Sequence, residues 1–473
     1  MKKKNCFTKL IYSTNFFLSI MLGLSCVGAP PHAFSKTEEI KFPDSFEWCV
    51  ATASHQIEGN NKDSDWWEFE RRGKTIENED RSTKATDHWN RLEEDTQILV
   101  DLGVKTYRFS LEWAKIEPQP GNWNKEALEH YKKEILLLKK NNIKPFITLN
   151  HFSIPYWFAK KGGWTSPQAP HFFNRYVKKV FENLGHLGIE SWVTFNEPVW
   201  NLISGYVLGA FPPGKKDLKL LAAPIVGVVK SHALAYKTLH KIAKKRNIPI
   251  KVGLVKALNI FETLRKWNPL DHYARSILER VYNLSLLEAL QKGRLKFSFP
   301  TIVNMDKELK EAKGTLDFLG VNFYTRLFVK FTFSPPFIKT ETVAAKDKIT
   351  EMHWEIYPEG LYKVVTKAHQ MFPKLPIFIS ENGIADKTDK KRIPFIKDHL
   401  YYVYKLIKQK VPIVGYCYWT LIDNFEWAHG YRPRFGLYEL DLKTLSRTPR
   451  PSAIFYKNLI KKKGFSYEKK GFK

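Results

Sequence analysis

The stretch "TFNEPVW", Thr194 to Trp200, decides how this chain reads. A run of strand-forming residues ends there on an amide and a carboxylate side by side, Asn196 and Glu197, followed at once by proline. A second stretch, "IFISENGIAD", repeats the arrangement, with a short apolar run ending on Glu381. Working outward, eight such β-rich runs appear: Phe46 to Ala53, Val104 to Phe109, Pro145 to Leu149, Trp192 to Phe195, Val252 to Val255, Phe318 to Phe323, Ile377 to Ile379 and Ile413 to Tyr418. Between them lie amphipathic patterns such as "EALEHYKKEILLLKK", "FFNRYVKKVFENLGHLG" and "SHALAYKTLHKIAKKRN", with apolar residues at helical spacing. Strands alternating with helices call for a parallel sheet, and eight such units close into a single (β/α)8 TIM barrel, an α/β fold.

A barrel of this kind collects its chemistry at the C-terminal ends of the strands. Seven of the eight runs supply a candidate: Gln56 after the first, Arg108 in the second, His151 after the third, Asn196 and Glu197 after the fourth, Tyr324 after the sixth, Glu381 after the seventh and Trp419 after the eighth. The fifth, within "GLVKALNI", offers nothing to single out. Any one of these residues alone reads as an ordinary polar strand end. Seven on one rim read as a site.

The 473 residues are 43% hydrophobic and 14% aromatic, enough for a large buried core and too apolar for a disordered chain. The formal charge of +28 raises nucleic acid or an anionic membrane as partners, but most of the lysine is spread over the polar faces of helical patterns, where it reads as a solvated surface. The first residues carry three lysines, an apolar segment from Phe16 to Leu24 and small residues around Val27, Gly28 and Ala29, the layout of a secretory signal peptide over residues 1–29. The apolar segment is too short for a comfortable membrane span. Export to the periplasm or the medium is therefore expected, with lipid attachment at Cys26 the lesser alternative. Losing this leader removes four lysines and no acid and leaves +24, so the basic balance belongs to the mature chain.

Past residue 40 no low-complexity linker, short repeat or sharp change of composition appears, so residues 40–460 read as one domain and 461–473 as a basic tail. Only Cys49 and Cys417 remain in the mature chain. Both sit in strand-like apolar runs and read as buried free thiols, with no disulfide framework and no thiolate zinc site.

Two carboxylates across a barrel mouth, with no metal-ligand cluster and no glycine-rich phosphate loop, suit glycoside hydrolysis without a metal or cofactor. One carboxyl assists the leaving group and the other attacks or activates water. The segment "YWTLIDNFEWAHGY" adds Trp419, Glu426 and Trp427, aromatic plates with a polar edge that fit a sugar ring, and Gln56, His151 and Asn196 add uncharged groups that read hydroxyls. Small β-glycosides or short oligosaccharides are the expected partners.

The segments "ATASHQIEG", "YRFSLEWAKIEP", "TLNHFSIPYW", "TFNEP", "DFLGVNFYT", "YPEGL", "ISENG" and "WTLIDNFEWAHGYRPRFGLYELD", in this order from about Phe42 to about Tyr456, resemble the retaining β-glycosidases of glycoside hydrolase family 1. The resemblance implies that Glu197 is the general acid/base and Glu381 the nucleophile. It implies too that Asn196 holds the sugar 2-hydroxyl, that Arg108 and Tyr324 flank Glu381 and keep it ionised, and that Gln56, His151, Trp419, Glu426 and Trp427 form the pocket for the terminal sugar. Asn150, Phe152 and Ser153 depart from the family's usual surroundings of His151, and Cys49 stands where a small residue is common, so altered packing is expected at both places. Two competing readings remain. A 6-phospho-β-glycosidase carries serine in place of Glu426 and lysine in place of Pro433; an inert glycan-binding relative has lost one of the two glutamates.

Overall fold

The computed structural model describes residues 37–299, 302–334 and 337–468. The leader expected over residues 1–29, with Cys6 and Cys26, lies outside them. Glu39–Tyr467 form one compact unit.

All eight expected runs are parallel strands of one closed barrel: β1 Glu47–Ala51, β2 Thr106–Ser110, β3 Lys144–Thr148, β4 Ser191–Asn196, β5 Lys251–Ala257, β6 Phe318–Asn322, β7 Ile377–Asn382 and β8 Ile413–Trp419. Each strand pairs with its neighbours in sequence, and β8 closes on β1 with Tyr416 opposite Trp48 and Tyr418 opposite Val50. A helix follows every strand: Leu92–Leu102, Lys125–Lys140, Ala169–Leu184, Ala222–Arg246, Pro269–Leu278, Pro358–Met371, Arg392–Lys408 and Pro451–Lys462. The helix boundaries follow local chemistry. Asn124 starts the second by accepting the Ala127 N–H at 3.1 Å, and the left-handed Asn247 ends the fourth. That fourth helix is apolar and long enough for a membrane span, yet much of it is buried inside this unit, as a core helix is.

Strand alternation divides the core in two. Val50, Tyr107, Ile147, Trp192, Leu254 and Leu319 face outward into the helix layer, while Ala51, Phe146, Val193, Val255, Phe318 and Phe378 fill the barrel. Large rings fit inside because glycines stand beside them: a Cβ on Gly253 would lie 2.6 Å from the Phe318 ring, and one on Gly415 2.6 Å from Phe378.

Two expectations need correction. Cys49 and Cys417 are joined as a disulfide and are not free thiols. They are 368 residues apart, but closure of the barrel sets them directly opposite each other on β1 and β8. The basic tail does not begin at residue 461. The last helix runs to Lys462, the strand Gly464–Glu468 follows, Phe465 is buried, and the Phe42 N–H donates to the Lys463 carbonyl at 2.9 Å. Outside the barrel, the segment from Thr325 to Lys348 contains two further strands. Arg326–Phe331 pairs with Ile260–Thr263 on one side and Ile338–Glu341 on the other, a small sheet outside the barrel.

The disulfide makes a direct prediction. Alkylation of the denatured, unreduced chain should leave Cys49 and Cys417 unlabelled in peptide mass spectra, and Cys49→Ala/Cys417→Ala should lose about 2–4 kcal/mol of stability, read as a lowered Tm. Labelled cysteines before reduction would contradict it.

Candidate active site

Two irregular strand ends build the site. Asn196 is the last residue of β4, and Glu197 takes a left-handed conformation (φ 42°, ψ 48°) that is uncommon for a residue with a Cβ. Pro198, which starts the helix Pro198–Leu202, adds its own restriction on Glu197. The β4–β5 register shifts between Val193 and Asn196, so the strict alternation of faces is broken just where two neighbouring side chains must both reach the mouth. Backbone bonds hold the turn: the Asn196 N–H donates to Asn150 O and the Glu197 N–H to Val255 O, both at 2.9 Å. On the far side, β7 shifts register against β8 between Ile379 and Asn382, which re-aims Glu381.

Both oxygens of Glu381 accept hydrogen bonds, one from Arg108 Nη1 at 2.5 Å and the other from the Tyr324 hydroxyl at 2.8 Å. Arg108 is fully buried, and its Nη2 donates to Asn196 Oδ1 at 2.7 Å. That contact fixes the amide orientation. Asn196 Nδ2 then donates to His151 Nε2 at 3.0 Å, which places the imidazole proton on Nδ1. Burial, then the charge of Arg108, keeps His151 far below its ordinary pKa, so it is a neutral ring. Asn322 completes the ring of contacts: its Nδ2 donates to Glu197 Oε1 at 2.7 Å and its Oδ1 accepts from the Ser380 hydroxyl at 2.7 Å.

Among the described residues, Glu197 has no cation in direct contact. Burial and then the charge of Glu381 push its pKa up to about 8, against the opposing pull of the Asn322 hydrogen bond, Lys256 and Arg108. Burial, followed by Glu381, likewise raises Glu426 to about 8, while Gln56 and Trp419 donate to it. Near neutrality the cavity therefore holds an Arg-bound carboxyl, Glu381, beside a protonated one, Glu197. A carboxyl able to give a proton and one bound by donors on both oxygens share one space.

His151, Asn196, Glu197, Tyr324, Glu381, Trp419, Glu426 and Trp427 all line one cavity of about 230 Å³. The Trp427 ring stacks on His55 (centroids 5.7 Å apart, planes at 8°) and forms a flat wall. Arg108 and Gln56 are expected site residues that sit behind the lining. Gln56 Nε2 donates to Asn424 Oδ1, Phe425 O and Glu426 Oε2 at 3.0, 2.9 and 3.2 Å. The departures around His151 change its support: Asn150 Nδ2 donates to Ser153 O at 2.8 Å and the Ser153 hydroxyl to Glu112 Oε2 at 2.7 Å. Sequence reasoning missed Asn322 and Lys256. Asn322 stands two residues before Tyr324 in "DFLGVNFYT", a spacing that could have placed both on one face.

This barrel, with paired carboxyls in opposite hydrogen-bonding states and an aromatic wall at its mouth, is that of a glycoside hydrolase. The chain belongs to glycosyl hydrolase family 1, whose family model matches residues 38–465. It is 33% identical to beta-glucosidase A of Thermotoga maritima over 450 residues, covering 90% of this chain and 98% of the relative. Among solved structures, the beta-glycosidase from Pyrococcus horikoshii superposes with a TM-score of 0.83 at 35% identity, covering 91% of this chain and 97% of that one. The beta-glucosidase from Thermotoga maritima in complex with glucoimidazole gives 0.83 at 32% identity over 90% of this chain and 99% of that one.

Proposed function

We propose that this glycosidase is a retaining exo-β-glycosidase that removes unphosphorylated terminal β-D-glucosyl residues by double displacement. The observation that carries this reading is the contrast between Glu381, with a donor on each oxygen, and Glu197, buried beside it and pushed up to about 8. In the first step Glu381 attacks the anomeric carbon as the glycosidic bond breaks, and the Glu197 proton passes to the departing oxygen. Water then adds to the anomeric carbon, gives a proton to Glu197 and releases the Glu381 carboxylate. Glycosylation removes the charge of Glu381 and with it one of the two causes that keep Glu197 protonated, so the acid of the first step becomes the base of the second.

The recognition groups support a terminal sugar. One hydrogen of Asn196 Nδ2 remains beyond its bond to His151, suited to the 2-hydroxyl, and His151 Nδ1 and Gln56 Oε1 are buried polar atoms without a protein partner. Three carboxyls, Glu197, Glu381 and Glu426, line the pocket, Arg108 behind it is bound to Glu381, and among the described lining residues no lysine or arginine is left to meet a phosphate dianion. Arg432, near Glu426 in sequence, is held by Glu77 at 2.5 Å. Glucose as the preferred sugar rests on the names of the relatives. Export is part of the same proposal, supported by the leader in the sequence and by a disulfide of the kind that persists in oxidising compartments; free thiols in the alkylation experiment would remove the second support.

A rate panel on aryl β-glycosides of glucose, galactose, fucose, mannose and 6-phosphoglucose tests the reading. The glucoside should be cleaved and the 6-phosphoglucoside should be poor. Glu426→Ser should cut glucoside hydrolysis about 100-fold, because sugar hydroxyls lose their partner, and should raise the relative rate on the phosphorylated substrate. A preference of the unaltered enzyme for 6-phosphoglucoside would refute the substrate assignment.

A further inference from the structure

Lys256 lies in β5, the one strand from which the sequence offered no site residue. It is fully buried, its Nζ donates to the Ala257 carbonyl and lies 4.4 Å from the centre of the Tyr282 ring. Among the described residues no carboxylate stands within ion-pair distance of it. An ammonium taken out of water without a partner is costly, and structures retain such groups where their field acts on something. Two carboxyls feel this field, Glu197 and Glu279. Glu279 is already compensated, by the Lys367 ammonium and by Asn283 Nδ2 at 2.8 Å. Glu197 is not: among the described residues its side chain is met by the neutral Asn322 amide alone. The two residues are joined through the wall of the cavity. The Glu197 N–H donates to the carbonyl of Val255, the residue before Lys256, and Tyr282, whose ring faces the ammonium, lines the cavity together with Glu197.

We propose that Lys256 is a positioning residue of the reaction: from behind the cavity wall its ammonium stabilises the ionised form of Glu197, easing proton delivery to the leaving group and holding the carboxylate ready as base. The inference rests on the reading of Glu197 as acid/base. Lys256 itself neither gives nor takes a proton in the balanced reaction. The groups that face Glu197 are Glu381, Arg108, Lys256, Tyr324, Glu426 and Tyr282, and of the two cations among them Arg108 is tied to Glu381. Burial lowers Lys256 to about 7, so its charge strengthens as Glu197 ionises and weakens as Glu197 is protonated.

The test is the pH dependence of hydrolysis of aryl β-glucosides by Lys256→Met and Lys256→Arg. Removing a cation raises the pKa of a neighbouring carboxyl. In Lys256→Met the acid limb of the water-addition step, read with a good leaving group and lying where Lys256 is charged, should therefore move up by about one pH unit, and the alkaline limb of kcat/KM, where Lys256 has lost part of its charge, should move the same way by less. Rates on poor leaving groups near neutrality should fall about 3- to 10-fold with little change in KM, and Tm should not fall, because an unpaired buried charge has been removed. Lys256→Arg keeps a permanent charge, and its alkaline limb should stay at or below that of the unaltered enzyme. An unmoved limb in folded Lys256→Met, or an upward shift in Lys256→Arg, would overturn the proposal. If instead Glu197→Gln retains the alkaline limb, the acid/base reading fails whatever Lys256 does.

Discussion

Glu381→Gly is expected to lose at least about 10⁴-fold in kcat, whichever β-glycoside is offered, because the group proposed to form the covalent bond is gone. The size of the effect follows from the geometry. Arg108 and Tyr324 converge on the two oxygens of Glu381, and no other carboxyl receives both donors. The cavity left by the missing side chain keeps these donors in place, so a small external anion can enter it. Azide should restore turnover to the Gly variant with activated aryl glycosides and should leave the unaltered enzyme unchanged. Failure of azide to restore any turnover in folded protein, with Tm unaltered, would argue that Glu381 is not at the reacting carbon.

Glu197→Gln should divide substrates by their leaving groups. A proton donor matters where the departing oxygen is basic, so alkyl glycosides should lose about 10²- to 10⁴-fold in kcat/KM, while activated aryl glycosides still form the intermediate and stall at its hydrolysis. The sign of the pH effect follows from the raised pKa. Glu197 carries its proton below about 8 and loses it above, so the unaltered enzyme should decline on the alkaline side, and the Gln variant, which cannot titrate, should not. Equal losses on good and poor leaving groups, with the alkaline decline intact, would exclude Glu197 as the acid.

The barrel was legible because both of its periods are strong: β-branched and aromatic runs alternate with helical patterns eight times, and each run became a barrel strand. The ends were less legible. The seventh run was read as Ile377 to Ile379, yet the strand continues to Asn382, since its last residues are polar and its register shifts where Glu381 turns inward. The rim residues could be read because strand ends in this fold point to one mouth. Their hydrogen bonds could not, which is why Asn322, between Glu197 and Ser380, went unnoticed. Lys256 was hidden by its type, since a lysine in a strand reads as solvated and only the packing of Tyr282 against it shows otherwise. The Cys49–Cys417 bond depends on closure of the barrel, a contact across 368 residues that no local pattern announces.

On the proposed mechanism, Glu381 attacks the anomeric carbon from the face opposite the leaving group. The configuration of the glycosyl azide formed by Glu381→Gly from an aryl β-glucoside, read from its anomeric proton coupling by NMR, tests this most directly. With Glu381 absent, azide occupies its place and displaces the leaving group once, with inversion, so the account predicts an α-glucosyl azide. A β-glucosyl azide would mean that a nucleophile elsewhere in the site still forms the covalent intermediate, and would contradict it.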